Sequence, residues 1–473
     1  MKTSVLSQPT AKTFLPSARI RGWIYSLLFA AVGAYLLQNP ENLKLTTYWF
    51  LTIFAISAFA FEIMPLFGTA ILLLMLYIVT GIASPDLAFV GWTTPIPWVC
   101  LCGMLIGALM ERTKLSDRIA LLTISHIAST PLRLYGAFIV AGYLIGAIIP
   151  DVITTTIIFM TIASGMCHKM GMEKGSKAAT ILVMAGFFGA TVPATNYLPN
   201  NIGIVGLLMV KDIGVPIEWV SFFIDNLGYS LINAAFCITI LHFFGSRELG
   251  KYIDQCRSHA GEQIKAMGTM SLDEKKTLAL TILAVVAFAT EKFHGIPGYY
   301  AFCGIVLLGF TPIFSLLKAD DVKEVQFDIL FFITACMAIG IVAGSLGIPE
   351  WIAAMVVPWL ESMNSLASTS IISYGVGILS NFALTPVAAA SSLSIPLAEI
   401  ASTLGLSTQP LLYSFFYGLD QFLFPYELAA GLLMYATGYV RLKHLMLIMA
   451  CRMVLSGVAV LIVSSTYWQW LGY

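Results

Sequence analysis

The stretch GAIIPDVITT, Gly146–Thr155, sits inside an apolar run that extends from Leu134 to Cys167. Proline and aspartate interrupt it where the flanks call for hydrocarbon. A second run, Ile371–Ala398, is interrupted by Ser380-Asn381 within GILSNFALTP, Gly377–Pro386. Each is followed by another broken stretch: GATVPATNYLPNN, Gly189–Asn201, after the first, and FLFPYELAAG, Phe422–Gly431, after the second. Asp151 and Asn381 lie 230 residues apart, as do Asn201 and Gly431. A bilayer tolerates broken backbone only where protein or a water-filled cavity surrounds it. Paired interruptions in two halves of a chain point to the binding site of a secondary transporter.

The rest of the chain agrees with a membrane setting. Of 473 residues, 58% are hydrophobic and 11% charged, with a mean hydropathy of +0.87. Soluble domains carry roughly 25% charged residues. Runs of about 20 apolar residues, enough to span a bilayer, recur from end to end. They lack the two-residue alternation of a membrane β-barrel. The expectation is an all-α polytopic membrane protein: an inverted-repeat carrier with about 11 transmembrane helices and two re-entrant hairpins. Residues 1–22 form a basic N-terminal segment without a cleavable signal pattern, expected on the cytoplasmic side of the inner membrane. The first half is 23–246, a polar linker follows at 247–276, and the second half is 277–473. Within the linker, Ser271 reads as the N-cap of the next helix. GALMERTKLSDRIA, Gly107–Ala120, aligns with GIVAGSLGIPEWIA, Gly340–Ala353, extending the repeat upstream.

Net charge is zero, which leaves no basic footprint for nucleic acid. The eight cysteines are scattered and read as packing residues. Zinc-protease, phosphate-loop and nucleophile-elbow motifs are missing, so the sequence gives an enzyme no support.

Asp151 is the sharpest chemical signal. Insertion scales charge roughly 2.5–3.5 kcal/mol for an aspartate at a helix centre. Val152–Thr156, with Thr154, reads as a helix start facing the tip. Asp151 lines a site there, or caps that helix in a surface loop, or does both. Ser380-Asn381 is the partner tip, with Thr385-Pro386 in the first turn of the next arm. An amide at a helix N-terminus can bind an anion with help from the dipole. Asn196, Asn200 and Asn201 crowd around Pro199, where unwound carbonyls suit Na⁺ or the segment is an ordinary loop. Glu427, after Pro425-Tyr426, is the second half's counterpart carboxylate. Asp225 and Asp420 read as structural residues near span ends.

Several stretches resemble the divalent-anion/sodium symporter family of dicarboxylate, citrate and sulfate carriers. Phe61–Leu66 looks like its T-E-A-L-P-L, and Gly107–Ala120 like its A-x-x-x-E-K-T-G-L segment. Pro150-Asp151-Val152 and Ser380-Asn381-Phe382 match its two S-N-T tips. Asn196–Asn200 matches its G-T-P-P-N, and Phe424–Gly431 its L-P-V-A-T-P-P-N. Gly438–His444 is similar to the stretch that follows. The resemblance implies a homodimer with elevator-type motion and no cofactor beyond a coupling ion, Na⁺ or H⁺. It places the small anion at Asp151, Thr154, Ser380, Asn381, Thr385, Asn200 and Pro425. Coupling would involve Asp151, Asn196, Asn200, Asn381 and Glu427, with Asp151 and Asn381 as the Na⁺ site candidates.

The tips depart from the pattern: Pro150 and Val152 lack both hydroxyls, Phe382 replaces threonine, and Glu427 stands where a small residue is usual. An ionised Asp151 about 4 Å from an anion would cost about 4 kcal/mol at an effective dielectric of 20. Asp151 is therefore expected to be protonated, paired with a cation, or facing something other than a dianion. Cation/proton antiport is the alternative transport reading. A membrane-embedded enzyme or sensor is the reading of another class.

Overall fold

The computed structural model describes residues 16–38, 42–61, 63–147, 149, 152–198, 207, 210, 218–325, 327–348, 365–383 and 386–473. Every regular element among them is helical. The first helices are α1 (Pro16–Leu36), α2 (Leu43–Ala60), α3 (Leu66–Val79), α4 (Ile96–Thr113) and α5 (Leu115–Ile127). Next come α6 (Pro131–Gly146), α7 (Val152–Lys169), α8 (Lys177–Thr191) and α9 (Trp219–Gly250), then α10 (Ile253–Met267) in the polar linker. The second half holds α11 (Leu272–Ala289), α12 (Gly298–Leu308), α13 (Phe327–Ser345), α14 (Leu366–Ala383) and α15 (Pro386–Thr403). It closes with α16 (Thr408–Leu419), α17 (Ala429–Ala436) and α18 (Leu442–Ile462). Among the described residues, four helical stretches are long and apolar enough to cross a membrane: Val152–Lys169, Lys177–Asn196, Trp219–Gly250 and Leu442–Trp470.

Local chemistry sets many of these ends. Thr130 accepts from the Arg133 N–H at 3.2 Å and Pro131 follows at the first helical position, opening α6. Ser176 does the same for α8 through Ala179 N–H at 3.3 Å. Ser271 is the expected cap: its hydroxyl accepts from Glu274 N–H at 3.1 Å, and Glu274 accepts from Ser271 N–H at 2.6 Å. The two bonds form a capping box. The charged stretch Glu111–Arg118 is helical except at Lys114, where a left-handed residue divides α4 from α5.

The first interrupted run becomes α6 and α7, with the helix start at Val152 where the sequence placed it. The second becomes α14 and α15, and here the expectation needs correcting. Helix α14 is described to Ala383, so Ser380 and Asn381, expected at the tip itself, lie in its last described turn. Helix α15 is described from Pro386 onward, and a proline is well placed at the start of a helix.

Glycines bring the first arms of these pairs onto α8 and α16. A Cβ on Gly142 of α6 would run into the Gly189 carbonyl of α8. A Cβ on Gly377 of α14 would strike the Phe415 carbonyl of α16, and one on Gly418 the Tyr374 carbonyl. Helices α8 and α16 start against opposite ends of the α9–α18 pair. Thr180 of α8 bonds the Tyr439 carbonyl and the Arg441 N–H, both at 3.3 Å, just before α18. Tyr413 of α16 reaches Asp225 near the start of α9, where Tyr473 also bonds.

The linker is a structured surface element. Ile253, Cys256 and Ala260 of α10 are buried against α5 and α7, and Arg257 donates to the Ser125 carbonyl at 3.0 Å. Two ion pairs join the halves: Arg118 with Glu274 at 2.7 Å, and Arg112 with Asp321 at 2.5 Å.

Candidate functional site

Helix α8 is buried along its whole length and ends against a proline. Pro193 lacks an N–H and its ring clashes with the preceding turn, so the helix gives way to one tight turn, Pro193–Asn196. Neighbours hold the break in shape. Ser230 of α9 donates to the Val192 carbonyl at 3.4 Å, and Tyr197 donates to the Tyr143 carbonyl at 2.8 Å. Asn196 is fully buried, and neither its Oδ1 nor its Nδ2 has a partner among the described residues. Leaving a buried polar group unpaired costs about 1–3 kcal/mol, which makes this amide a candidate for a ligand contact.

Helix α16 ends at Leu419 and the chain unwinds until Pro425–Glu427 forms a short turn. Gln421 Nε2 donates to the Tyr417 carbonyl at 2.9 Å, and Asn381 Nδ2 donates to the Gln421 carbonyl at 2.6 Å. Asn381 Oδ1 and Gln421 Oε1 remain buried without partners among the described residues. Glu427 accepts from the main-chain N–H groups of Leu423 at 3.3 Å and Phe424 at 3.1 Å. Its carboxylate therefore caps the turn that Pro425 opens.

A buried charge pair joins this break to the last helix. Arg452, 1% exposed in mid-α18, donates to the Asp420 carboxylate, and its Nη1 reaches the Asp420 carbonyl at 3.3 Å. Its guanidinium carbon lies 5.7 Å from the Phe188 ring centre of α8, within cation–π range. Phe187 meets Phe422 edge to face at 5.7 Å. The two breaks thus share an aromatic wall capped by a cation.

The residues named from sequence separate into three groups. Asp151, Asn200 and Thr385 lie outside the described residues. Asn381, Pro425 and Glu427 are all in or against the second break, and Asn196 is in the first. Thr154 and Ser380 have other described neighbours. A Cβ on Gly107 of α4 would come 3.2 Å from Thr154 Oγ1, and the Ser380 hydroxyl donates to its own helix at the Val376 carbonyl, 2.7 Å away. No described contact joins Asn196 directly to Asn381.

Arg452 was not among the sequence candidates, although the signal was available: a lone arginine in LMLIMACRMVLSGVAV, Leu445–Val460. An ionisable residue inside an apolar span is a functional candidate by default. Asp420, read as a span-end residue, is its partner. Asp225 is also more than a span-end residue, since it accepts from Tyr413 at 3.0 Å and Tyr473 at 2.8 Å while buried in α9.

Residues 20–473 match the family described as the sodium:sulfate symporter transmembrane region. A membrane protein of Cupriavidus necator is 23% identical over 317 residues, covering 59% of this chain and 60% of that protein. The sodium-dependent high-affinity dicarboxylate transporter 3 of Caenorhabditis elegans is 25% identical over 162 residues, 31% of this chain and 29% of that protein. The matched stretch thus spans less than two thirds of either relative.

Proposed function

This chain belongs to the sodium:sulfate symporter family, and from that premise we propose that it is a secondary active carrier of small anions. Di- or tricarboxylates and sulfate are the substrate classes, with Na⁺ or H⁺ as the coupling ion. The observation that carries the reading is the meeting of two broken helices, each ending in buried amide groups with unused hydrogen-bonding atoms, across the Phe187–Phe422 contact. Amides with both donors and acceptors suit an anion and a cation together.

The inverted repeat is supported by direction and by packing. Helices α8 and α16 enter from opposite ends, each crossed at glycine by the arm that precedes it. Lys174, Lys177, Arg441 and Lys443 gather where α8 and α18 begin. In this reading that end is the cytoplasmic one by the positive-inside rule, and the protein is a multi-pass chain of the inner membrane. The sodium-dependent dicarboxylate carrier among the relatives favours Na⁺ and a dicarboxylate. Family resemblance supplies the homodimer and the elevator motion. Asp151, Asn200 and Thr385 complete the tips and the first break in this reading.

Counterflow in proteoliposomes tests it. Labelled succinate, citrate or sulfate should exchange against unlabelled anion without external energy, and failure with the whole panel rejects the carrier reading. Asp151→Asn should alter the pH or Na⁺ dependence of uptake; an unchanged dependence removes Asp151 from coupling.

A further inference from the structure

We infer that the Arg452 guanidinium is a tethered cation, filling a cation site built from the Asp420 carboxylate and the carbonyls released where α16 ends. The end of a helix presents unpaired carbonyls and the negative end of its dipole. A full negative charge is added here by Asp420. Carbonyls, a carboxylate and a helix C-terminus are the groups with which broken membrane helices hold Na⁺. In this chain they are already claimed. Arg452 takes the Asp420 carboxylate and carbonyl, and Asn381 takes the Gln421 carbonyl. The guanidinium comes from another helix, ten residues into α18, or about 15 Å from its start at 1.5 Å per residue. It is buried, its Nε has no partner among the described residues, and its face lies toward Phe188.

The first break is built the other way. Asn196 lies at its end with both amide atoms unclaimed, and no donor of either kind bonds it among the described residues. One break therefore carries its own positive charge, and no charged partner is described at the Asn196 amide of the other. The inference deepens the carrier reading and rests on it only in calling a mobile cation a coupling ion. Its consequence is one fewer Na⁺ per cycle than two equivalent breaks would take.

Thermal stability in intact membranes tests the site without any transport assay. Arg452→Gln leaves Asp420 unpaired and should acquire a concentration-dependent rise in Tm with NaCl over choline chloride at equal ionic strength. A rise of roughly 2 °C beyond the wild-type response is expected near saturation. Asp420→Asn/Arg452→Gln, which lacks both charges, should respond no more than the wild type. Guanidinium ion at millimolar concentration should stabilise Arg452→Gln and not the double variant. Equal Na⁺ responses in the single and double variants overturn the proposal. If Arg452→Gln does not accumulate, Arg452→Lys decides: with the charge retained it must respond to Na⁺ as the wild type does, and a new Na⁺ response overturns the proposal. Loss of anion counterflow with this Na⁺ pattern intact would reject the carrier reading and leave the tethered cation standing.

Discussion

Gly377 and Gly418 press main chain against main chain where α14 crosses α16: a Cβ on either would strike a carbonyl of the other helix. Gly142 and Gly189 do the same for α6 and α8. Close approach of this kind is how membrane helices associate when hydrocarbon solvates their faces on both sides. It also fixes α8 against α6 and α16 against α14.

Alanine at these crossings should therefore be costly. The opposing atoms are backbone, which cannot rotate away, so Gly142→Ala and Gly418→Ala are expected to lose about 3 kcal/mol, the upper end for overpacking. Gly136→Ala on α6 and Gly375→Ala on α14 are the controls, with nothing within 4 Å of the new methyl among the described residues. They should stay within about 0.5 kcal/mol of the parent. Urea or thermal melts in detergent compare the four.

Asn381 and Ser380 should behave differently although they are neighbours. Asn381→Ala removes the donor to the Gln421 carbonyl and leaves that carbonyl bare, costing about 1–3 kcal/mol and most of the anion uptake. Ser380→Ala removes a hydroxyl bonded only to its own helix, so stability changes by about 0.5 kcal/mol or less and uptake survives. Parallel Tm and uptake measurements distinguish them.

Glu427 caps a turn with two main-chain N–H bonds. Glu427→Gln keeps the shape but weakens charge-assisted bonds by about half, a loss of about 1 kcal/mol. Glu427→Ala removes them, and should lower both Tm and uptake further. A Glu427→Ala variant with parent-like stability would argue against the capping role.

Acid should weaken the join between the halves. Burial pushes the Glu274 carboxyl up, but the Arg118 guanidinium and the Ser271 N–H more than offset this and hold it below the usual range. The unfolded chain therefore takes up this proton at a higher pH than the folded one. The stabilisation is complete above the ordinary glutamate value of about 4.3, and it is lost as pH falls through the lower, folded value. Glu274→Gln should be less stable at neutral pH by roughly 3 kcal/mol, because it strands buried Arg118. Its melting profile should also lose part of the parent's fall between about pH 5 and 3.

Helix existence was legible wherever chemistry was local. Val152 opens α7 and Ser271 caps α11 as their residue types dictate. The proposed repeat shows in the sequence as spacing, because two broken runs keep their distance whatever surrounds them. Asn381 was placed in a tip because polar residues in an apolar run suggest a loop, yet its amide serves a carbonyl forty residues away, which lets the helix continue. Arg452 escaped notice because averaged hydropathy absorbs one arginine among fifteen apolar or small neighbours. Its meaning comes from Asp420 on a different element, and sequence order does not show that pairing. The glycine crossings are equally non-local: Gly136 and Gly142 look alike in the sequence, and only the partner helix tells them apart.

The α10 segment makes the join between the halves a beam rather than a rope. It rests on α5 and α7 through Ile253, Cys256 and Ala260, and Arg257 pins it to Ser125. Slack introduced inside it would unroof the ends of the helices below. Gly268, just past its end, has a left-handed backbone and open space around its Cα. Its carbonyl, however, accepts from Arg118 at 2.9 Å, so the beam is tied down at this end too, and a fluorescent reporter or an affinity handle belongs outside it.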